Sequence, residues 1–169
     1  PQRTVEVEVP AGHDEVVNFI ADSYKLTPKG LVMNSLKWKY LIRSAVRGKN
    51  IMMTGPAGCG KTLSAKSLIN GLDRPNFYFN LGATQDPRAT LIGNVHFDKK
   101  KGTFFSESLF VKAIQTPNAV ILLDELTRAH PDAWNILMTV LDYGQRYLRL
   151  DEADGCLLYT SDAADDMQC

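Results

Sequence analysis

The N-terminal part of the chain contains two kinds of hydrophobic pattern. Residues 4–9 alternate polar and apolar residues with period two, which predicts a short strand that ends before Pro10. Apolar residues then recur at helical spacing over residues 13–25 and 35–47, which predicts two amphipathic helices, the second closed by Gly48. The apolar face expected for the second helix consists of Leu36, Tyr40, Leu41 and Ala45.

The pattern changes in the middle of the chain. Three short apolar runs follow at residues 50–54, 76–81 and 119–123, and near-continuous apolar runs are typical of strands buried on both faces of a parallel sheet. Helical segments at residues 62–70 and 106–115 occupy the gaps between the runs. Strands and helices that alternate in this way predict right-handed crossovers and a sheet covered by helices, so we expect an α/β fold.

Two further segments have patterns of their own. Residues 95–105 place apolar and aromatic residues on both sides of a charged turn closed by Gly102, which predicts a hairpin. Pro131 suits the first turn of a helix, with His130 before it at the cap or in a loop. The apolar residues of this helix recur at i, i+3, i+4 and i+7, which predicts that they are core residues: Trp134, Leu137, Met138 and Leu141.

The charge of the chain is unevenly distributed. The 169 residues contain 19 Lys and Arg against 19 Asp and Glu, a net charge of zero that argues against a protein coating nucleic acid or membranes. Residues 151–169 nevertheless carry six acids and no base, which leaves residues 1–150 with a net charge of +6. Nucleic acid is therefore not excluded as a partner. The lysines at residues 99–101 are either a contact for substrate or nucleic acid, or a solvated turn.

Hydropathy and cysteine content indicate the compartment. No apolar run approaches the roughly 20 residues that span a bilayer, and the first residues lack the pattern of a secretory signal. Two of the three cysteines, Cys156 and Cys169, lie in the acidic tail and the third is Cys59, so a disulfide framework is unsupported. We expect a cytoplasmic protein with no membrane partner.

A phosphate-binding motif follows the first apolar run. The string GPAGCGKT at residues 55–62 matches G-x-x-x-x-G-K-[ST] between a predicted strand and a predicted helix. Its glycines let backbone N–H groups and the positive end of the helix face phosphate oxygens. In this motif Lys61 reaches the β- and γ-phosphates and the Thr62 hydroxyl ligates Mg²⁺. The predicted nucleotide site, a Walker A loop, comprises Gly55, Pro56, Ala57, Gly58, Cys59, Gly60, Lys61, Thr62 and Leu63.

An acidic pair, Asp124 and Glu125, follows the third apolar run. Ligands of doubly wound sheets bind at the carboxyl ends of the strands, so we expect Asp124 to hold Mg²⁺ as a Walker B residue. Glu125 is expected to orient or deprotonate a water that attacks the γ-phosphate, which makes Glu125 and Lys61 the catalytic candidates. A kinase must exclude water, so Glu125 favours hydrolysis. The alternatives are a P-loop phosphotransferase and a nucleotide-gated interaction module without significant hydrolysis.

Four strings together resemble the AAA+ ATPases, and within them the MoxR-like and dynein-related branch. The strings are GPAGCGKT (55–62), ATQDPRATLIG (83–93), FFSESLFVKAI (104–114) and AVILLDELTRAHPDAWNILMTVLDYGQRYLRLDE (119–152). Thr127 stands where this branch commonly has Asn. The resemblance implies a P-loop NTPase fold, a three-layer sandwich with a mostly parallel sheet. It also implies that ATP and Mg²⁺ are the cofactors, that the intact parent is a homo-oligomeric ring (hexamer) remodelling a protein substrate, and that Arg128 lies near a subunit boundary.

The resemblance also implies a division of the chain. Residues 1–30 are expected to be an N-terminal extension, residues 31–152 a partial nucleotide-binding core with about three of five core strands, and residues 153–169 a separate tail. Because the sensor, arginine finger and lid are expected beyond residue 152, this fragment alone is expected to hydrolyse ATP weakly or not at all. From about Cys156 the tail resembles translated sequencing-adapter DNA and is expected to be non-native or disordered; the alternative is a native strand at residues 156–160.

Overall fold

The computed structural model describes residues 12–100, 102–142, 144 and 146–150, and the backbone of residues 156–159. The chain divides into two compact units, Pro1–Leu72 and Asp73–Cys169, here called unit 1 and unit 2. The strand predicted at residues 4–9 lies outside the described residues.

Unit 1 is helical over much of its described length. Its elements are α1 (Asp14–Asp22), a 3₁₀ turn (Ser23–Leu26), α2 (Ser35–Val46) and α3 (Lys61–Leu72). Asn34 caps α2, since its Oδ1 accepts the backbone N–H of Leu36 at 2.8 Å. The helices predicted at residues 13–25, 35–47 and 62–70 are thus confirmed.

Trp38 is the centre of the core of unit 1. Its side chain and that of Ile42 are fully buried, and both pack in one cluster with Leu68. The indole Nε1 of Trp38 donates to the carbonyl of Ser23 at 2.6 Å, and the Ser23 hydroxyl donates to the carbonyl of Ile20 at 2.7 Å. Both buried polar groups therefore have partners, as buried donors require.

The apolar face predicted for α2 was wrong at two positions. Leu36 and Tyr40 are 58% and 57% exposed, whereas Trp38 and Ile42 are buried. Each pair is spaced i, i+4 and so forms a stripe of its own. Two residues correspond to about 200° around a helix, so burial of the Trp38 stripe turns the Leu36 stripe outward.

Residues 50–54 do not form the predicted first strand. Over this run the structure assigns no strand, and Ile51 and Met52 are exposed. An apolar run favours burial, but a strand also needs hydrogen bonds to a neighbouring strand. Within the described chain, the strand pairs do not include these residues.

Unit 2 contains strands and helices in alternation. In chain order its elements are β1 (Asn76–Asn80), α4 (Pro87–Leu91), β2 (Gly93–Asp98), β3 (Gly102–Glu107), α5 (Leu109–Gln115), β4 (Val120–Asp124), α6 (Pro131–Leu141), β5 (Tyr147–Leu150) and β6 (Cys156–Tyr159). Two 3₁₀ turns, Leu81–Ala83 and Leu126–Arg128, follow β1 and β4 respectively.

The small parallel sheet of unit 2 consists of β1 and β4, in a register that runs from Asn76 opposite Val120 to Asn80 opposite Asp124. Two of the three predicted core strands are thus confirmed, and the chain has the expected mixed α/β structure. The predicted hairpin is confirmed by the antiparallel pairing of β2 with β3. The helix predicted at residues 106–115 begins later, at Leu109, because Ser106 belongs to β3 and Ser108 is the N-cap.

The tail forms one strand among its described residues. The backbone of β6 pairs antiparallel with β5, with Leu150 opposite Cys156 and Tyr147 opposite Tyr159. This strand matches the alternative of a short strand at residues 156–160. The non-native origin of the tail stays a prediction, and residues 160–169 lie outside the described part of the chain.

Helix α6 contributes the buried stripe Ala133, Leu137 and Val140 to the core of unit 2. Leu137 is confirmed as a core residue, with no exposed area. Met138 was predicted to be core but is 67% exposed, because it lies about 100° around the helix from Leu137. His130 caps the helix as predicted, since its Nδ1 accepts the backbone N–H of Asp132 at 3.2 Å.

Across the described residues, no helix combines the length and the apolar character that crossing a bilayer demands.

Replacing Leu137 with Ala is expected to lower the free energy of unfolding by about 2 to 5 kcal/mol, because it leaves a cavity in the core. The adjacent Met138→Ala is the matched control and is expected to change it by less than about 0.5 kcal/mol, since Met138 is exposed. Urea denaturation followed by circular dichroism measures both values. Equal destabilisation by the two variants would contradict the burial pattern of α6.

Candidate functional site

The predicted phosphate loop leads directly into α3, whose first residue is Lys61. Gly58 and Gly60 have φ values of 74° and 88°, a backbone region that residues with side chains rarely adopt. A Cβ atom at Gly60 would also lie 2.6 Å from Cδ1 of Leu31. The backbone conformation therefore favours glycine at position 60, and a side chain there would also require the end of the Leu31 side chain to move.

Lys61 lies over the loop that precedes it. Its Nζ donates to the carbonyls of Gly55 and Pro56, each at 2.8 Å, and lies 3.8 Å from Sγ of Cys59. The ammonium charge is thus held at the centre of the loop, at the N-terminal end of a helix. Positive charge in this place suits an anionic phosphate.

Ser64 anchors the loop to the helix and was missed by sequence reasoning. Both its backbone N–H and its hydroxyl donate to the carbonyl of Gly60, each at 2.8 Å, and the residue is buried. The available signal was a hydroxyl residue four positions after a glycine, the spacing for such a bond within a helix. The other predicted loop residues lie in the same stretch, with Thr62 half-buried and Leu63 exposed.

The acidic pair lies at the carboxyl end of the parallel sheet in unit 2. Asp124 is the last residue of β4, and its Oδ1 accepts the backbone N–H of Glu125 at 2.9 Å. Its Oδ2 accepts the phenol of Tyr78 from the neighbouring strand at 3.1 Å. Tyr78 was also missed, because only the pairing of β1 with β4 reveals that it reaches Asp124.

The phenol of Tyr78 stays protonated at neutral pH and therefore donates a hydrogen bond. Partial burial, the hydrogen bond to Asp124 and the negative charges of Asp124 and Glu125 raise the pKa of Tyr78 above its ordinary value near 10. The neutral phenol therefore holds one oxygen of Asp124 in place, while the N–H of Glu125 holds the other.

Glu125 adopts an unusual backbone conformation just after β4. Its φ and ψ are 55° and 33°, the left-handed region, which is uncommon for a residue with a side chain. Its Oε2 lies 3.5 Å from Nη1 of Arg128, and its carbonyl accepts the N–H of Arg128 at 2.9 Å. Arg128, which the resemblance places near a subunit boundary, is 75% exposed at its side chain. An exposed ion pair of this kind contributes about 0 to 1 kcal/mol, so it orients Glu125 weakly.

The donor groups suit Mg²⁺. The hydroxyl of Thr62 and the carboxylate of Asp124 are oxygen donors, which this hard cation prefers, together with phosphate oxygens and water. In the described ranges no three His, Cys, Asp or Glu side chains group as metal ligands. Thr62 belongs to unit 1 and Asp124 to unit 2.

Asp124→Asn is expected to lower the pKa of Tyr78 towards its ordinary value, because the variant removes a negative charge and the charged acceptor. A pH titration of ¹³C-labelled tyrosine by NMR measures the pKa, with Tyr78→Phe identifying the signal. Asp132→Asn, which removes an acid elsewhere in unit 2, is the matched control.

The folded pKa of Tyr78 lies above the unfolded value, so the stabilisation from its hydrogen bond is fully present below about pH 10 and is lost as the pH rises through the raised pKa. An unchanged Tyr78 titration in Asp124→Asn would contradict the assigned contact.

Comparisons with known proteins give the family. Residues 50–163 match the AAA domain (dynein-related subfamily). The chain is 37% identical to the ClpA homolog protein of Fuscovulum blasticum over 141 residues, covering 79% of this chain and 16% of that protein. It is 29% identical to the chaperone protein ClpB of Wolinella succinogenes over 166 residues, covering 92% of this chain and 18% of that protein. It is 35% identical to a mitochondrial Lon protease homolog of Phaeodactylum tricornutum over 114 residues, covering 62% of this chain and 12% of that protein.

The chain thus spans between 12% and 18% of the length of these relatives. The family match covers more than half of the chain and includes both the predicted phosphate loop from Gly55 and the acidic pair. The chain belongs to the AAA domain family, dynein-related subfamily, and its mixed helix and strand structure with a small parallel sheet is that of a partial AAA+ ATPase domain.

Proposed function

We propose that the chain binds and hydrolyses ATP as a module of a homo-oligomeric ring, a hexamer in the intact parent, that remodels a protein partner. The observation that carries this proposal is the position of Lys61, whose ammonium lies on the loop carbonyls of Gly55 and Pro56 at the start of α3. This arrangement gathers a cation, a glycine-rich backbone and a helix N-terminus at one place. A triphosphate is the ligand chemistry that suits it best.

Binding begins at the Walker A loop, Gly55 to Leu63. The backbone N–H groups of the loop and the N-terminal end of α3 take the phosphate oxygens, and Lys61 exchanges its loop carbonyls for the β- and γ-phosphates. A charge-assisted bond from an ammonium to phosphate is stronger than one to a neutral carbonyl. The ligand therefore draws Lys61 away from the loop carbonyls.

Hydrolysis is assigned to the acidic pair. Thr62 and Asp124 would hold Mg²⁺, which when bound neutralises the charge that develops on the phosphate oxygens. Tyr78 keeps Asp124 oriented through its phenol. Glu125 has an exposed carboxylate next to Asp124, and in this proposal it orients the attacking water and accepts its proton.

The ring and the protein partner rest on family resemblance. Relatives named chaperone protein and Lon protease homolog share this domain, which supports a partner that is itself a protein. The exposed free thiol of Cys59 suits a reducing compartment, so we propose a cytoplasmic location.

Lys61→Ala is expected to weaken ATP binding by at least about tenfold, because it removes the charge that meets the phosphates. Lys66→Ala is the matched control, since it removes the same charge from the exposed side of the same helix. Isothermal titration calorimetry with Mg-ATP measures both affinities. Equal affinities in the two variants would refute the proposed phosphate site.

In the ring-forming parent protein, Glu125→Gln is expected to retain ATP binding and to lower phosphate release by about 10² to 10⁴-fold, because the amide cannot accept a proton from water. Glu107→Gln, the same change at an exposed position on β3, is the control. Bound nucleotide and released phosphate are measured on the same samples. A module that does not hydrolyse ATP would show no difference between Glu125→Gln and the unmodified chain, and phosphate transfer to a small molecule would indicate the phosphotransferase.

A further inference from the structure

Gly82 lies in the 3₁₀ turn that follows β1, directly against the acidic pair. A Cβ atom at this position would lie 2.7 Å from Cβ of Glu125 and 3.2 Å from Cβ of Arg128. Gly82 is not one of the glycines with positive φ, so the backbone conformation does not itself require glycine. The position needs a glycine because there is no space for a side chain between the turn and Glu125.

The turn that carries Gly82 has little freedom to move away. Leu81, the preceding residue, is 1% exposed and belongs to the core of unit 2. The N–H of Gly82 donates to Oδ1 of Asn80 at 3.1 Å, and the hydroxyl of Thr84 donates to the carbonyl of Asn80 at 3.1 Å. Moving the turn outward would therefore expose Leu81 or break these bonds.

Backbone hydrogen bonds also hold Glu125, the residue that faces Gly82, in place. Its N–H donates to Asp124 and its carbonyl accepts the N–H of Arg128, both at 2.9 Å. Its Cβ is fixed by the backbone, and rotation of the side chain cannot move it away. A methyl group at position 82 must therefore displace the backbone of Glu125, and the carboxylate moves with it.

We propose that Gly82 is a positioning residue for Glu125: its missing side chain lets the left-handed turn after β4 pack against the turn after β1 and so sets where the Glu125 carboxylate lies. This inference rests on the proposed role of Glu125 in hydrolysis. Gly82 itself touches neither nucleotide nor water in the proposed reaction. It acts through its close approach to the Cβ of Glu125.

In the ring-forming parent protein, Gly82→Ala is expected to lower kcat for phosphate release by about ten- to a hundredfold, the effect of displacing a catalytic group by roughly 1 Å. The dissociation constant for ATP without Mg²⁺ is expected to stay unchanged, because the proposed phosphate contacts come from the loop in unit 1 and not from the acidic pair. Gly144→Ala is the matched control in unit 2, since among the described residues its new Cβ would meet Oδ1 of Asp142 at an ordinary 3.6 Å. Equal kcat values for Gly82→Ala and Gly144→Ala would overturn the proposal.

A second measurement tests the contact without activity. Glu125→Gly removes the Cβ that opposes Gly82 and suits the left-handed backbone. Gly82→Ala is expected to lower the melting temperature by about 2 to 4 °C in the chain that keeps Glu125 and by clearly less in the Glu125→Gly chain. If Gly82→Ala alone does not fold, the double variant is expected to recover folding. The same loss in both backgrounds, or no recovery, would overturn the proposal.

The two measurements separate this inference from the proposed function. Unchanged phosphate release in Glu125→Gln would refute hydrolysis by Glu125, and the proposed positioning role would fall with it, while the melting temperatures would still report the contact. A large effect of Glu125→Gln together with no effect of Gly82→Ala would refute the role of Gly82 alone.

Discussion

The parallel pairing of β1 with β4 is the interaction on which the acidic edge of unit 2 depends. Its register places Asn80 opposite Asp124, so both strands end at the same edge. This brings the phenol of Tyr78 to Asp124 and the turn at Gly82 against Glu125. The edge-to-face contact of Phe79 with Phe110, whose ring centroids lie 5.4 Å apart, ties β1 to the core. A shift of one residue in this register would move Tyr78 to the opposite face.

Features decided by local sequence were predictable. The helix start at Lys61, the hairpin and the bounds of α2 follow from residues within one turn or one loop of each other. Burial was harder to predict, because it depends on what each face meets. Trp38 and Ile42 were buried in place of the predicted Leu36 stripe, and the apolar run at residues 50–54 remained outside any strand pair of the described chain.

The candidate site shows the same division. Asp124 and Glu125 were predictable because carboxylates at the end of a buried strand carry their own signal. Tyr78 carries none, since its bond to Asp124 joins residues 46 positions apart. Gly82 was hidden for a related reason: a glycine required by a neighbour resembles any other glycine in sequence. Such residues emerge only once the strand register is known.

The proposed phosphate loop and the acidic pair are therefore stabilised by different kinds of contact. Lys61 and Ser64 are bonded to the loop by contacts that span six residues or fewer, so the phosphate loop is organised by its own short stretch of chain. Glu125 instead depends on a turn in a distant part of unit 2 and on the sheet that supports it. Because contacts between distant segments are lost together when a core loosens, loss of packing in unit 2 affects the acidic edge without altering the local bonds of the loop. Hydrolysis is thus the more fragile of the two proposed activities, and nucleotide binding the more robust.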